Sequence, residues 1–184
     1  MNKMHLTRLT MLPALLVAGI LTISPALQAG DAKDSEQVSN LLSDAKTQAY
    51  QLREDAATME SYTRSNLGWD NHRVTVNQIR DHINAVGQTL TKLDDARGIA
   101  SPWQATAIDR IKPLLREMAS NTTSLIEYLN KNPARLSTKE YRDYIEANAD
   151  EAAQLEELIA DFVNYGNAKN RMERLAGKLE IPKT

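Results

Sequence analysis

Four stretches of this chain repeat apolar residues at alternating steps of three and four, and the seams they define hold no Asp, Glu, His, Lys or Arg. That spacing returns to one face of a helix with each turn, so every stretch predicts an amphipathic helix. Seams without charge predict a core that packs and does not react. The first helix is expected from about Asp34 to Asn66, with Val38, Leu42, Ala45, Ala49, Leu52, Ala56, Met59 and Thr63 on its seam. After Leu67-Gly68-Trp69, Asp70 or Asn71 is expected to cap a second helix along Val76, Ile79, Ile83, Val86, Leu90 and Leu93, and Gly98 to end it as a glycine just past the terminus.

Ser101-Pro102 is a cap followed by proline at the first helical position, and it predicts the start of a third helix. Its seam is Ile108, Ile111, Leu115, Met118, Thr122, Leu125 and Leu129. Pro113 lies inside, where it removes a hydrogen bond and crowds the carbonyl of Asp109 at a cost of about 3 kcal/mol. Because the seam keeps its phase across Pro113, a kink is predicted and not a break. Ser137-Thr-Lys-Glu140 reads as a capping box opening a fourth helix along Tyr141, Ile145, Asn148, Ala152, Leu155, Ile159, Phe162 and Gly166. The apolar series then drifts to Met172, Leu175 and Leu179. Short connections between such helices predict an all-α fold, an antiparallel up-down-up-down four-helix bundle spanning residues 30–184 as one domain. The outer two helices are the longer pair, and both are expected to overhang the Gly98 turn.

Residues 1–29 read as a cleavable signal peptide. Lys3 and Arg8 stand in front, an apolar run from Met11 to Ile23 follows, and Ser24-Pro-Ala-Leu-Gln-Ala29 supplies small residues for cleavage after Ala26 or Ala29. A periplasmic or secreted location follows. The competing reading keeps the segment as a membrane anchor, since Leu9 to Gly30 carries no charge. The sequence has no Cys, which excludes disulfides, a lipidated cysteine and c-type haem attachment.

Composition narrows the function. The whole chain carries −2, and the leader's charges are both basic, so the remainder is more acidic still, against any general affinity for nucleic acid. Charge is segregated along the fourth helix: the stretch from Asp143 to Asp161 is acidic without a basic residue, whereas Lys169, Arg171, Arg174, Lys178 and Lys183 follow. Di-iron bundles place Glu-x-x-His pairs on inward faces, and none is present. His72 and His82 are ten residues apart, about 15 Å along a helix, too far to share one metal ion. A b-type haem between His82 and Met118 would need both to face the interior, and His82 stands one position off the seam. No nucleophile elbow, phosphate loop or Cys/His dyad is visible. The expectation is therefore no catalytic residue, no metal ligand and no cofactor. It leaves a non-enzymatic bundle, adaptor or chaperone-like, acting through surface contacts. The alternatives are a cofactor- or metal-carrying bundle and a membrane-anchored extracytoplasmic sensory bundle.

Two surfaces stand out. In an antiparallel bundle the Gly68 and Pro133 turns share one end, which gathers Tyr62, Trp69, Tyr128, Tyr141 and Tyr144 with Arg64, His72 and Arg73 nearby. Aromatic faces beside cations resemble binding hot spots in composition, and the expected partner is a protein or an envelope polymer. Membrane contact is expected only with an uncleaved leader. The same residues would alternatively plug the open end of the core. The small seam residues Ala45, Ala49 and Ala56 are expected to be filled over by Leu and Ile of the other helices; the alternative is a groove for an apolar guest or a partner helix.

Overall fold

The computed structural model describes residues 33–65 and 67–182, so the predicted leader lies outside the described residues. Among those described, no strand occurs and four long helices carry the fold: α1 Glu36–Ser61, α2 Trp69–Asp95, α3 Pro102–Lys131 and α4 Lys139–Lys178. The chain is all-helical, as the seams predict, and consistent with a four-helix bundle. Each of α1 and α3 packs against both α2 and α4. No described helix is long and apolar enough to cross a membrane.

The seams become the core. Every apolar residue named on them from Val38 to Ile159 is buried, and the three small alanines of α1 lie covered by the neighbouring helices, leaving no open groove there. Cross-helix pairs tie the faces together. Gln48 accepts from Thr89 at 2.9 Å and Asp55 meets His82 at 3.0 Å between α1 and α2. Arg97 reaches Asp109 and Lys112 reaches Asp94 between the α2 end and α3. Arg53 meets Glu156 at 3.4 Å between α1 and α4. α3 continues unbroken through Pro113, with Ile111 and Leu115 buried on either side.

Local signals were less well placed than the seams. α1 ends at Ser61 and hands over to a 3-10 turn, Tyr62–Arg64, so Thr63 is only half-buried and its hydroxyl turns back to the Glu60 carbonyl. Gly68, not Asp70 or Asn71, caps α2; the two polar residues fall inside the first turn. Thr138, not Ser137, caps α4: its hydroxyl accepts from the Tyr141 amide at 3.3 Å. Gly98 sits in a second 3-10 turn, Arg97–Ile99, and no glycine among the described residues has a positive φ, so it is not a left-handed helix stop.

Only α4 runs on alone. The start of α1 is instead fastened to α3 through Gln104, whose buried amide is fully used. Its oxygen accepts from the Ser35 and Ser101 amides at 3.0 and 2.9 Å, and its nitrogen donates to the Ser35 carbonyl and the Ser39 hydroxyl at 2.8 and 3.0 Å. One side chain thereby joins the N-cap of α1 to that of α3. Beyond Asn170, all α4 residues but Ala176 are exposed.

Candidate functional site

The predicted aromatic residues converge. The 3-10 turn after α1, the start of α2, the end of α3 and the start of α4 supply rings in a continuous series. Tyr62 lies edge-on to His72 at 5.2 Å, His72 is 5.5 Å from Tyr141, Tyr141 stacks on Tyr128 at 5.7 Å, and Tyr144 lies 5.7 Å from Tyr128. Tyr141 is fully enclosed, His72 is 2% exposed and Tyr128 8%. These three plug the core. Tyr62, Trp69 and Tyr144 are half-buried and form the accessible rim.

Hydrogen bonds fix the series. The Thr138 hydroxyl donates to the Arg135 carbonyl at 3.0 Å, which leaves its oxygen to accept from Tyr128 at 2.7 Å. Tyr62 and Thr75 hydroxyls meet at 3.2 Å. The Tyr141 hydroxyl lies 2.7 Å from His72 Nδ1. Burial, together with the nearby Tyr128, pushes the Tyr141 phenol far above its ordinary value, so it stays protonated and donates. Nδ1 then accepts, which requires a neutral imidazole with its proton on the other nitrogen.

His72 overturns the reading of the second seam as free of ionisable residues. It lies four residues before Val76, one further step along the same series, and the structure buries it. Desolvation lowers its pKa, opposed by a backbone hydrogen bond with Leu67. In the unfolded chain this histidine takes up a proton near its ordinary value of about 6.5, and the folded state resists that proton. Above pH 7 both states are neutral and His72 contributes no pH dependence; below about 6.5 stability is lost progressively as pH falls towards the depressed folded value. Urea melts at pH 7.5 and pH 5 should therefore show a larger loss for the native chain than for His72→Gln, and equal losses would contradict a buried neutral imidazole.

The cations stand apart from the plug. Arg73 lies over the Trp69 ring at 5.2 Å, while the Trp69 indole donates to the Leu129 carbonyl at 3.1 Å. Arg64 does not join them: it is largely exposed and paired with Glu60 at 3.1 Å. Two surface grooves open beside the rim. One, of about 590 Å³, is bordered by Asn121, Lys139, Asp143 and Ala147; the other, of about 310 Å³, by Ser124, Tyr128, Lys131 and Asn132. Glu140 and Tyr144 line both. Beneath them Thr122 donates to the buried Asn148 amide oxygen, so that seam asparagine is satisfied across α3 and α4. Asn121 donates to Glu151, whose carboxyl is pushed up by burial.

His82 and Met118 differ in placement: His82 is turned to Asp55 at 3.0 Å, whereas Met118 is fully buried. Sequence reasoning missed a second cluster, supplied by the starts of α1 and α3 and the later part of α4. Trp103 donates its indole N–H to Asp34 at 2.7 Å and lies edge-on to Tyr165 at 5.4 Å. Lys169 reaches Asp34 at 3.4 Å and Glu173 at 2.8 Å, pairings that raise its pKa. Gly166 presents bare backbone to the Trp103 ring. Trp103 precedes the first seam residue of α3, so periodicity gave it no place; the proximity of a tryptophan to a helix start was its only signal. No protein-family model, curated protein or solved structure matches this chain.

Proposed function

We propose that this chain is a non-enzymatic exported protein, adaptor or chaperone-like, whose helices run up-down-up-down and whose aromatic rim binds a protein or an envelope polymer. The cross-helix pairs support the antiparallel course. Residue numbers rise on one helix as they fall on its neighbour, as in Tyr62 with Thr75, Asp55 with His82 and Gln48 with Thr89, and again in Tyr128 with Thr138 and Trp103 with Tyr165. The observation that carries the functional reading is Tyr144, a half-buried aromatic shared by two adjoining grooves. An aromatic residue so placed offers contact area at little entropic cost, as hot-spot residues do. His72 and Tyr141 satisfy each other behind it, away from solvent, which suits them to support the rim and not to react.

Crosslinking capture from cell-envelope extract, quantified for the native chain, Trp69→Ala and Tyr144→Ser, tests this. Each substitution is expected to weaken capture of the main partner by about tenfold or more, the scale of a hot-spot residue, with the helical circular dichroism retained. Capture unchanged in both folded variants would discard the rim as the binding site.

A further inference from the structure

The last three turns of α4 and the residues that follow them carry uncovered apolar side chains. Met172, Leu175, Leu179 and Ile181 are 72, 46, 63 and 54% exposed. Three of the tail's residues, Met172, Ala176 and Leu179, continue a series that begins inside the bundle at Leu158, Phe162 and Tyr165, with Lys169 between the halves. Its steps alternate four and three throughout, which is the heptad spacing of a helix that pairs with another helix. The earlier half borders a groove of about 360 Å³ between α3 and α4, walled by Trp103, Thr106 and Arg110 on one side and by Leu158, Phe162 and Tyr165 on the other.

Charge beside this stripe changes sign along the helix. At 100° per residue, Glu157, Asp161, Arg171 and Lys178 share an arc of about 100° that adjoins the apolar one. The two acids precede Gly166 and the two bases follow it. Lys169 is the one tail cation that is ion-paired among the described residues, to Asp34 and Glu173. Two such helices laid antiparallel about a point between Asn167 and Ala168 set Glu157 of each level with Lys178 of the other, and bring Asp161 within one turn of Arg171 and Tyr165 within one turn of Met172. Laid parallel, the pair turns its two charged arcs to opposite sides and leaves them unmatched.

We propose that the chain pairs with a second copy of itself through α4, antiparallel and about a two-fold axis near Ala168, the tail of each copy lying in the α3–α4 groove of the other. The contact is isologous and closed: each copy gives a tail and receives one. It does not depend on the aromatic rim, which is built from other parts of the helices.

Sedimentation velocity on the full chain over a concentration series is expected to show a dimer. Met172→Ser, Leu175→Ser and Leu179→Ser combined should leave a folded monomer, since all three side chains are exposed. Arg171→Glu with Lys178→Glu should weaken pairing at least tenfold, and adding Glu157→Lys with Asp161→Lys should restore it. Orientation is read by crosslinking, which the absence of native Cys makes clean. A chain carrying Tyr165→Cys should form a disulfide with one carrying Met172→Cys, while Met172→Cys alone should not link to itself. A full chain that stays monomeric to its solubility limit overturns the proposal, as does a dimer unmoved by the triple substitution or self-linking of Met172→Cys. Capture of the monomer by phosphatidylglycerol vesicles, lost in the triple variant, would overturn it in favour of an anionic lipid surface.

Discussion

Tyr141→Ala is expected to lower the free energy of unfolding by about 3–5 kcal/mol, the range for truncating a fully buried aromatic residue. Tyr141 is the largest enclosed side chain among the described residues, and its ring lies between His72 and Tyr128. Truncation removes both ring contacts and strands His72 Nδ1 in an apolar enclosure. Against a typical total of about 5–15 kcal/mol, such a loss approaches unfolding. Tyr141→Phe separates the contributions: it keeps the ring and removes only the hydroxyl, so it should cost about 1–3 kcal/mol for the unpaired imidazole nitrogen. Combining it with His72→Leu, which removes the stranded acceptor, should recover part of that loss. Urea titration with unchanged slope would measure all three; a loss below about 1 kcal/mol for Tyr141→Ala would show that the plug bears little of the core's stability.

Gly166→Leu is the second large expected effect. Glycine inside a helix ordinarily costs about 1 kcal/mol relative to alanine, so substitution at an open site would stabilise. Here a Cβ would lie 2.7 Å from Trp103 Cη2 and 2.9 Å from Cζ2. The ring has no easy retreat, because its N–H is bonded to Asp34 and it packs against Tyr165. Overpacking of this kind costs about 1–3 kcal/mol, which exceeds the propensity gain. Gly166→Leu should thus destabilise by about 3 kcal/mol, at the upper end of that range, and Gly166→Ala by less. The sign reverses once the ring is gone: in a Trp103→Leu background, Gly166→Ala should stabilise by about 1 kcal/mol. A cycle built from these variants measures the coupling directly, and additivity would refute the close approach.

Periodicity explains what could be read in advance. A residue on a three-and-four series meets the core whatever its neighbours do, and from Val38 to Ile159 burial followed that rule. His72 and Gln104 obey it too, each lying four residues before the first seam position recognised in its helix, Val76 and Ile108. Each stands ahead of the first apolar residue of its series, where no earlier seam position brackets it. Caps were harder, since the competing oxygens of Ser137 and Thr138 differ by one residue and only the local backbone selects between them. The close approach of Gly166 to Trp103 left no trace in either segment, because a glycine without a side chain looks like a weak point until the ring opposite is known. At the aromatic cluster, the sequence indicated which residues gather but not which close the core and which remain at the rim; that division depends on ring orientation.

The Gln104 amide also decides how the molecule bears mechanical load. Tension on the chain ahead of Lys33 reaches Asp34 and Ser35 first, and there it meets the three hydrogen bonds that join Gln104 to Ser35 and Ser39, together with the indole bond of Trp103 to Asp34. Together these bonds tie the start of α1 to α3, so load entering there passes to a second helix as well as along α1. A tether on the preceding segment would draw on the bundle as a whole.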